Sequence, residues 1–352
     1  MPHPDPTQGS APPPPGSEKP RVLITGATGF IGRTLTEYLA SNMPQLDLFG
    51  TTRWRSTIDR ITELPNGIQL IESDLTDYDS VMQLVNRIRP SLIFHLAGQS
   101  HMPASWMSPN ATILNALTMQ LNLLNAIKFI NSDTKLVVPV SNHIYGMTSE
   151  SQLPATEKTG FAPINPLGMG HALQDMLAQQ YYGGYGIQTV RVRLFDLIGP
   201  NQPDLFLLSH IAKQIAEAET GQRSPLVRVP NISAKRDWTD VRDVARGLWL
   251  LAERGESGKV YVLTSEQRHS RQELCTMLKQ QTTAPIEFRD MAPAHPEPES
   301  IYGNSAEFRQ ATGWSPQITV QQSLQDLLNH WRFQVKFVGR LGQLVSQAQQ
   351  VR

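Results

Sequence analysis

The chain has 352 residues, enough to bury a large core in one domain or two interleaved ones and too many for a small stapled scaffold. Its 31 Lys and Arg balance 31 Asp and Glu, so no global field recruits nucleic acid or an anionic membrane, and any anion site has to be local. A single cysteine, Cys275, excludes an internal disulfide framework and a cysteine-rich metal site; in RQELCTMLKQ it sits on an apolar helix face as a core residue. Residues 1–20 are rich in Pro, Gly and Ser, lack the apolar h-region of a signal peptide, and read as a disordered tail. Beyond them, apolar runs rich in β-branched residues (RVLIT, LDLFGTT, IQLIES, SLIFHLA, KLVVPV, IQTVRVRLF) alternate with segments of helical periodicity. Short buried strands separated by helices mean right-handed βαβ units, and the fold class is α/β with a doubly wound parallel sheet. No apolar run reaches the roughly 18 residues of a membrane span, so a soluble cytoplasmic protein is the expectation. At the end, KFVGRLGQLVSQAQQVR sets Phe337, Leu341, Leu344, Val345 and Ala348 at helical spacing beside basic residues. Packing on the parent domain is the expected role there, with membrane or partner docking as the alternative.

The first strand-to-helix junction carries the strongest chemical signal. RVLITGATGFIGRTLTEYLA places Gly26, Gly29 and Gly32 between a strand and an apolar-periodic helix, with Thr28, Phe30 and Ile31 interleaved. Glycines at that spacing allow a tight turn and close approach of a pyrophosphate, which the helix N-terminus holds through free N–H groups and its dipole. The second strand runs into FGTTRWRS, where an NAD-reading protein would place an acid near the ribose 2′-OH. Arg53 and Arg55 stand there instead, so NADP is preferred over NAD. After the third strand, ESDLTD puts Asp74 and Leu75 where a loop can meet the adenine.

Taken together, TGATGFIG, FHLAGQSH, SNHIYG, LIGPNQPD, KRDWTDVRDV and a late GW-x-P resemble an extended short-chain dehydrogenase/reductase acting on nucleotide sugars. The resemblance is to GDP-4-keto-6-deoxymannose reductases first and GDP-mannose 4,6-dehydratases next, over residues 21–332. It implies a Rossmann domain over residues 21–200 and a smaller substrate domain over 201–335. A stretch near 237–265 returns to the first domain, and 336–352 forms a helical tail. The implied ligands are NADP(H) and a GDP-sugar lying between the domains, and the implied assembly is a homodimer. Leu96, Ala97, Gly98 and Gln99 would line the cofactor, and Ser100 the substrate.

Reduction of a sugar ketone calls for an acid that protonates the alkoxide, a donor that polarises the carbonyl, and a cation that holds the ribose and lowers the acid's pKa. The family supplies these with Tyr-x-x-x-Lys on one helix and a Ser or Thr after the fifth strand. Ser141 takes the hydroxyl position, although capping a strand end is its other reading. His143 falls where many relatives carry a carboxylate, either an acid or base or a plain loop histidine. In NPLGMGH the tyrosine becomes Leu167 and the lysine His171. Leucine has no proton to give, and a histidine titrating near 6.5 supplies little charge at pH 7. Gly168 and Gly170 should also loosen that helix's first turn.

In the substrate half, Asp196 replaces an amide beside the expected diphosphate, which an unpaired carboxylate should repel. Asn231 and Arg236 match positions that hold the nucleotide, with Arg236 as a planar clamp. Lys213 matches a lysine facing the nucleotide, or is a plain surface residue, and Asp237, Asp240, Arg242 and Asp243 read as a structural ion network. Two functions of different class remain open: an NADP-dependent nucleotide-sugar reductase or dehydratase with its acid reassigned to His171 or a water, and a non-catalytic nucleotide or nucleotide-sugar binding protein acting as sensor or partner. No metal site is expected.

Overall fold

The computed structural model describes residues 19–53, 64–130 and 133–350, with side chains as far as Phe337. In chain order the first half contains β1 (Arg21–Thr25), α1 (Phe30–Asn42), β2 (Asp47–Thr52), β3 (Ile68–Glu72), α2 (Tyr78–Ile88) and β4 (Leu92–His95). There follow α3 (Met102–Met107), α4 (Pro109–Phe129), β5 (Lys135–Ser141), α5 (Pro166–Tyr185) and β6 (Thr189–Leu194). The second half adds β7 (Asp196–Ile198), α6 (Leu207–Glu219), β8 (Leu226–Pro230), β9 (Lys235–Asp240), α7 (Val241–Arg254) and β10 (Val260–Leu263). It ends with β11 (Arg268–Ser270), α8 (Arg271–Lys279), β12 (Glu287–Met291), β13 (Ser300–Ile301), α9 (Ala306–Thr312) and α10 (Val320–Gln350).

Seven parallel strands form one sheet in the order β10-β6-β5-β4-β1-β2-β3. Its central strands are buried on both faces, which is why they read as unbroken apolar runs. One face carries the core around Val85, Leu123 and Ile127 from α2 and α4; the other carries Leu35, Leu39, Leu248 and Trp314 from α1, α7 and the chain after α9. β10 pairs with β6, so the chain re-enters the first sheet after building part of the second half. That half consists of β11-β9-β13 with β7 alongside β9, the β12-β8 pair, and α6, α8 and α10 around a third core containing Cys275. Burial pushes the Cys275 thiol up to about 12, so it is an inert core residue.

Two arginines inside β6 set the placement of α5. Arg191 and Arg193 donate to the two carboxylate oxygens of buried Asp175 at 2.8 and 3.1 Å. Asp175 lies one turn beyond His171, so the ion pair pins the part of α5 that faces the sheet's carboxyl edge. Tyr145 packs beside this cluster, bonded to the Thr156 carbonyl, with its phenol pushed up to about 12 by burial. No helix among the described residues is long and apolar enough to cross a membrane. Phe333 and Phe337 of α10 stack on each other and are exposed, and the later apolar side chains of the tail lie outside the described residues.

Candidate active site

A parallel sheet offers its ligands the crevice at the carboxyl ends of its strands, where the connections diverge to opposite faces. Here β1, β4 and β5 end side by side at Thr25, His95 and Ser141, above a cleft of about 1160 Å³ that reaches into the second half. Gly26 turns the chain out of β1 with φ of +69°, and a Cβ there would lie 2.9 Å from the Ala97 backbone. A Cβ on Gly32 would lie 2.1 Å from the Gly26 carbonyl oxygen. Only glycine permits that approach. No side chain caps the helix start at Gly29, leaving the first-turn N–H groups of α1 for an anion.

The cofactor residues expected from sequence converge on this cleft: Gly26, Thr28, Gly29, Phe30, Ile31 and Gly32 from the loop, Leu96 to Gln99 from the turn after β4, and Asp74 with Leu75 after β3. Arg53 also lines it and is exposed; Arg55 lies outside the described residues. Bonds from the Thr76 hydroxyl and N–H hold the Asp74 carboxyl below its ordinary range, with Arg53 contributing. The residues present therefore fit a dinucleotide, whose pyrophosphate the N-terminus of α1 would hold and whose adenosine end Arg53 and Asp74 would meet.

At the other end of the crevice, Ser141 donates to Asn142 Oδ1 at 3.1 Å, and Asn142 Nδ2 donates to Asp196 Oδ2 at 3.0 Å. The carboxylate expected to repel a diphosphate is thus held by an amide rather than a cation. Asn165, the N-cap of α5, accepts the Gly168 N–H at 2.8 Å and turns its other end towards His143 Nδ1 at 3.3 Å. A Cβ on Gly168 would sit 2.3 Å from the His143 carbonyl oxygen, and one on Gly170 3.2 Å from the Ala116 methyl. These two glycines let α5 press against the His143 turn and against α4, a packing role beyond the sequence expectation of a loosened first turn.

Leu167 is 3% exposed and lines the cleft. One turn on, His171 is pushed down to about 4 by burial, with His143 and His95 acting in the same direction, and its buried Nδ1 has no hydrogen-bond partner among the described residues. His95, which sequence reasoning passed over, is pushed down to about 4 by burial; it lies between Thr25 Oγ1 at 3.0 Å and Gln174 Nε2 at 3.5 Å. Burial also lowers His143, against the nearby Asp196 carboxylate. Three imidazoles, all neutral at pH 7, occupy the corner where the resemblance calls for a phenol and an ammonium.

Ser100 lines the cleft, as does Asn115. Three residues expected at the substrate are otherwise engaged. Arg236 lines the cleft, yet its fork is committed: Nη1 donates to the Lys235 and Glu299 carbonyls, and Nη2 to Glu297 at 3.0 Å and the Pro298 carbonyl at 2.8 Å. Glu297 also receives two 2.7 Å bonds from Arg271. A clamp on diphosphate would have to break these bonds. Lys213 lies outside the cleft, bonded to Asp204 at 2.6 Å. Asn231 is likewise not among the lining residues; it forms a turn with φ of +42°, its N–H on the Met291 carbonyl. The acidic run after Arg236 splits into separate roles, with Asp240 holding Arg242, Asp243 holding Arg246, and Asp237 accepting from the Glu266 N–H. Trp106 of α3 stacks on His295, which lines the cleft, with ring centres 5.0 Å apart.

A glycine-loop Rossmann sheet, an appended substrate half and one cleft running between them to Ser141 define an extended short-chain dehydrogenase/reductase. Within that class the chain belongs to the GDP-mannose 4,6-dehydratase family, whose model matches residues 23–327. It is 30% identical over 318 residues to a GDP-6-deoxy-D-mannose reductase of Pseudomonas aeruginosa, covering 90% of this chain and 98% of that one. With a GDP-mannose 4,6-dehydratase of Arabidopsis thaliana it shares 26% identity over 317 residues, 84% of this chain and 83% of the relative. Among solved structures, the Pseudomonas aeruginosa reductase RMD complexed with NADPH superposes with a TM-score of 0.77 at 29% identity, over 90% and 99% of the two chains. A Thermotoga maritima UDP-glucose 4-epimerase reaches a TM-score of 0.82 at 20% identity over 90% and 99%, a likeness of fold.

Proposed function

We propose that the protein binds NADP(H) and a GDP-sugar and reduces a ketone of the sugar, in the manner of a GDP-4-keto-6-deoxymannose reductase, without the usual tyrosine and lysine. The observation that carries this reading is the continuity of the cleft: an uncapped helix N-terminus and Arg53 at one end, Ser141 and His143 at the other. The cofactor would supply hydride. The chain supplies the rest: α1 would hold the pyrophosphate, Arg53 the 2′-phosphate, and the His143 ring, beside Ser141, the sugar's C4 oxygen. Leu167 and neutral His171 provide neither proton nor cation, so turnover falls below that of a relative with both by on the order of 100 to 10,000-fold.

A second reading, a nucleotide-sugar binding protein that acts as sensor or partner, is favoured by Glu297, whose carboxylate holds Arg236 and Arg271 where a diphosphate would compete. Exposed Leu114 on α4 and Met169 and Met176 on α5 support a homodimer, since a second copy would cover this apolar surface. Purified protein mixed with NADPH and GDP-4-keto-6-deoxymannose separates the two functions: cofactor fluorescence reports binding and loss of NADPH absorbance reports reduction.

A further inference from the structure

We propose that Asn165 fixes the proton of the His143 ring on Nε2 and thereby makes His143 the hydrogen-bond donor to a carbonyl oxygen in the cleft. The nature of the acceptor rests on the reductase reading; the position of the proton does not.

The constraint on the ring originates at the start of α5. Asn165 carries one carboxamide, with an oxygen that only accepts and a nitrogen that only donates. The helix claims the oxygen, since Asn165 is its N-cap and Oδ1 receives the Gly168 N–H at 2.8 Å. The NH2 group is then the end that lies 3.3 Å from His143 Nδ1. A donor facing Nδ1 requires a lone pair there, so the single proton of the neutral ring is on Nε2. Asn165 is 9% exposed, and Gly168 leaves no room for a Cβ between α5 and the His143 carbonyl. The amide cannot turn over without breaking the cap.

Nε2 is the edge left for a ligand. His143 lines the cleft, and Nε2 is neither bonded to protein among the described residues nor sealed from solvent. The charged groups felt by the ring are Asp196, Arg236 and Glu297; His171 beside it is neutral, as is His95 next to His171. Ser141 cannot serve as the donor in this arrangement, because its hydroxyl proton lies on Asn142 Oδ1, whose own NH2 is on Asp196. Ser141 presents a lone pair, His143 an N–H. A neutral imidazole N–H suits an oxygen that gains negative charge, as a ketone oxygen does when hydride adds to its carbon. The ring keeps its proton, the alkoxide takes one from solvent water, and NADPH leaves as NADP⁺. Asn165 is a positioning residue in this scheme.

The test uses Asn165→Asp and Asn165→Ser. Both retain an oxygen for the Gly168 N–H, and Asp and Ser cap helices about as well as Asn. Asp turns a second acceptor to Nδ1 and draws the ring proton there; Ser removes the donor without replacing it. Proton-detected nitrogen NMR of histidine-labelled protein, with the His143 signals identified by their loss in His143→Gln, should show wild-type Nε2 protonated and Nδ1 bare above pH 7. In Asn165→Asp, Nδ1 should carry a proton. Ketone-dependent NADPH oxidation should fall about 100-fold in Asn165→Asp, the usual loss for one such donor, and less in Asn165→Ser, while NADPH affinity and melting temperature stay close to wild type. A wild-type ring protonated on Nδ1, or one indifferent to Asn165→Asp, overturns the proposal. Wild-type Nε2–H with no ketone-dependent oxidation overturns the reductase reading and the acceptor assigned with it.

Discussion

Restoring the missing pair, Leu167→Tyr with His171→Lys, should increase turnover far more than either change alone. A phenol at position 167 would enter a site where leucine is 3% exposed. Tyr145 gauges the consequence, for burial pushes that phenol up to about 12. By itself, then, Leu167→Tyr installs an acid too weak to release its proton readily, and a gain of less than about tenfold is expected. A lysine one turn further on places a positive charge about 6 Å away. At an effective dielectric of about 20 that charge is worth about 2.8 kcal/mol, on the order of a hundredfold in the phenol's acidity. The double variant should recover 100 to 10,000-fold in the rate of NADPH oxidation with GDP-4-keto-6-deoxymannose, and His171→Lys alone should recover far less, because no phenol stands at position 167 for its charge to acidify. A double variant that binds NADPH normally and runs no faster than Leu167→Tyr would refute the idea that the acid and its cation are what the site lacks.

Gly168→Ala should destabilise the protein by about 1–3 kcal/mol, since the added methyl lies 2.3 Å from the His143 carbonyl oxygen; a melting temperature within a degree of wild type would contradict the close approach. Acid should destabilise the fold in a defined window. His95 titrates at about 4 in the fold and near 6.5 when unfolded, so its contribution is complete above 6.5 and is lost as pH falls through 4. The loss is about 3 kcal/mol, and His171 acts in the same direction. Urea titrations should show this slope, and His95→Gln should flatten it; an unchanged slope would mean that His95 is charged or exposed. Replacing Arg53 by serine should weaken NADPH by about tenfold and leave NADH nearly unaffected; equal losses for both would remove the 2′-phosphate from its role.

The glycine loop was legible because its chemistry is local: three glycines within seven residues, between a strand and a helix, leave few alternatives. Strand ends were less so. SLIFHLA looked like one apolar run, yet β4 stops at His95 because Thr25 Oγ1 takes the N–H groups of Leu96 and Ala97 and bends the chain along the cleft floor. That bend turns His95 into a site residue, and its position as the last residue of a central strand was the available signal. Asn165 before Pro166 could be read as a helix cap, but not its second partner, His143, 22 residues earlier. The same holds for the Arg236 ion pair: its carboxylate partner lies 61 residues away, and only the folded second half brings Glu297 against it. Lys213 lies on a helix whose period is plain in sequence, but its partner Asp204 in the preceding loop is met only in the fold.

The most direct test of the account is NADPH oxidation by the wild-type chain with GDP-4-keto-6-deoxymannose, measured alongside NADPH binding by fluorescence. Tight NADPH binding with slow, ketone-dependent oxidation that His143→Gln abolishes is the predicted result. NADPH bound and retained unoxidised in saturating ketone would contradict a reductase, and absence of NADPH binding would contradict the cofactor site itself.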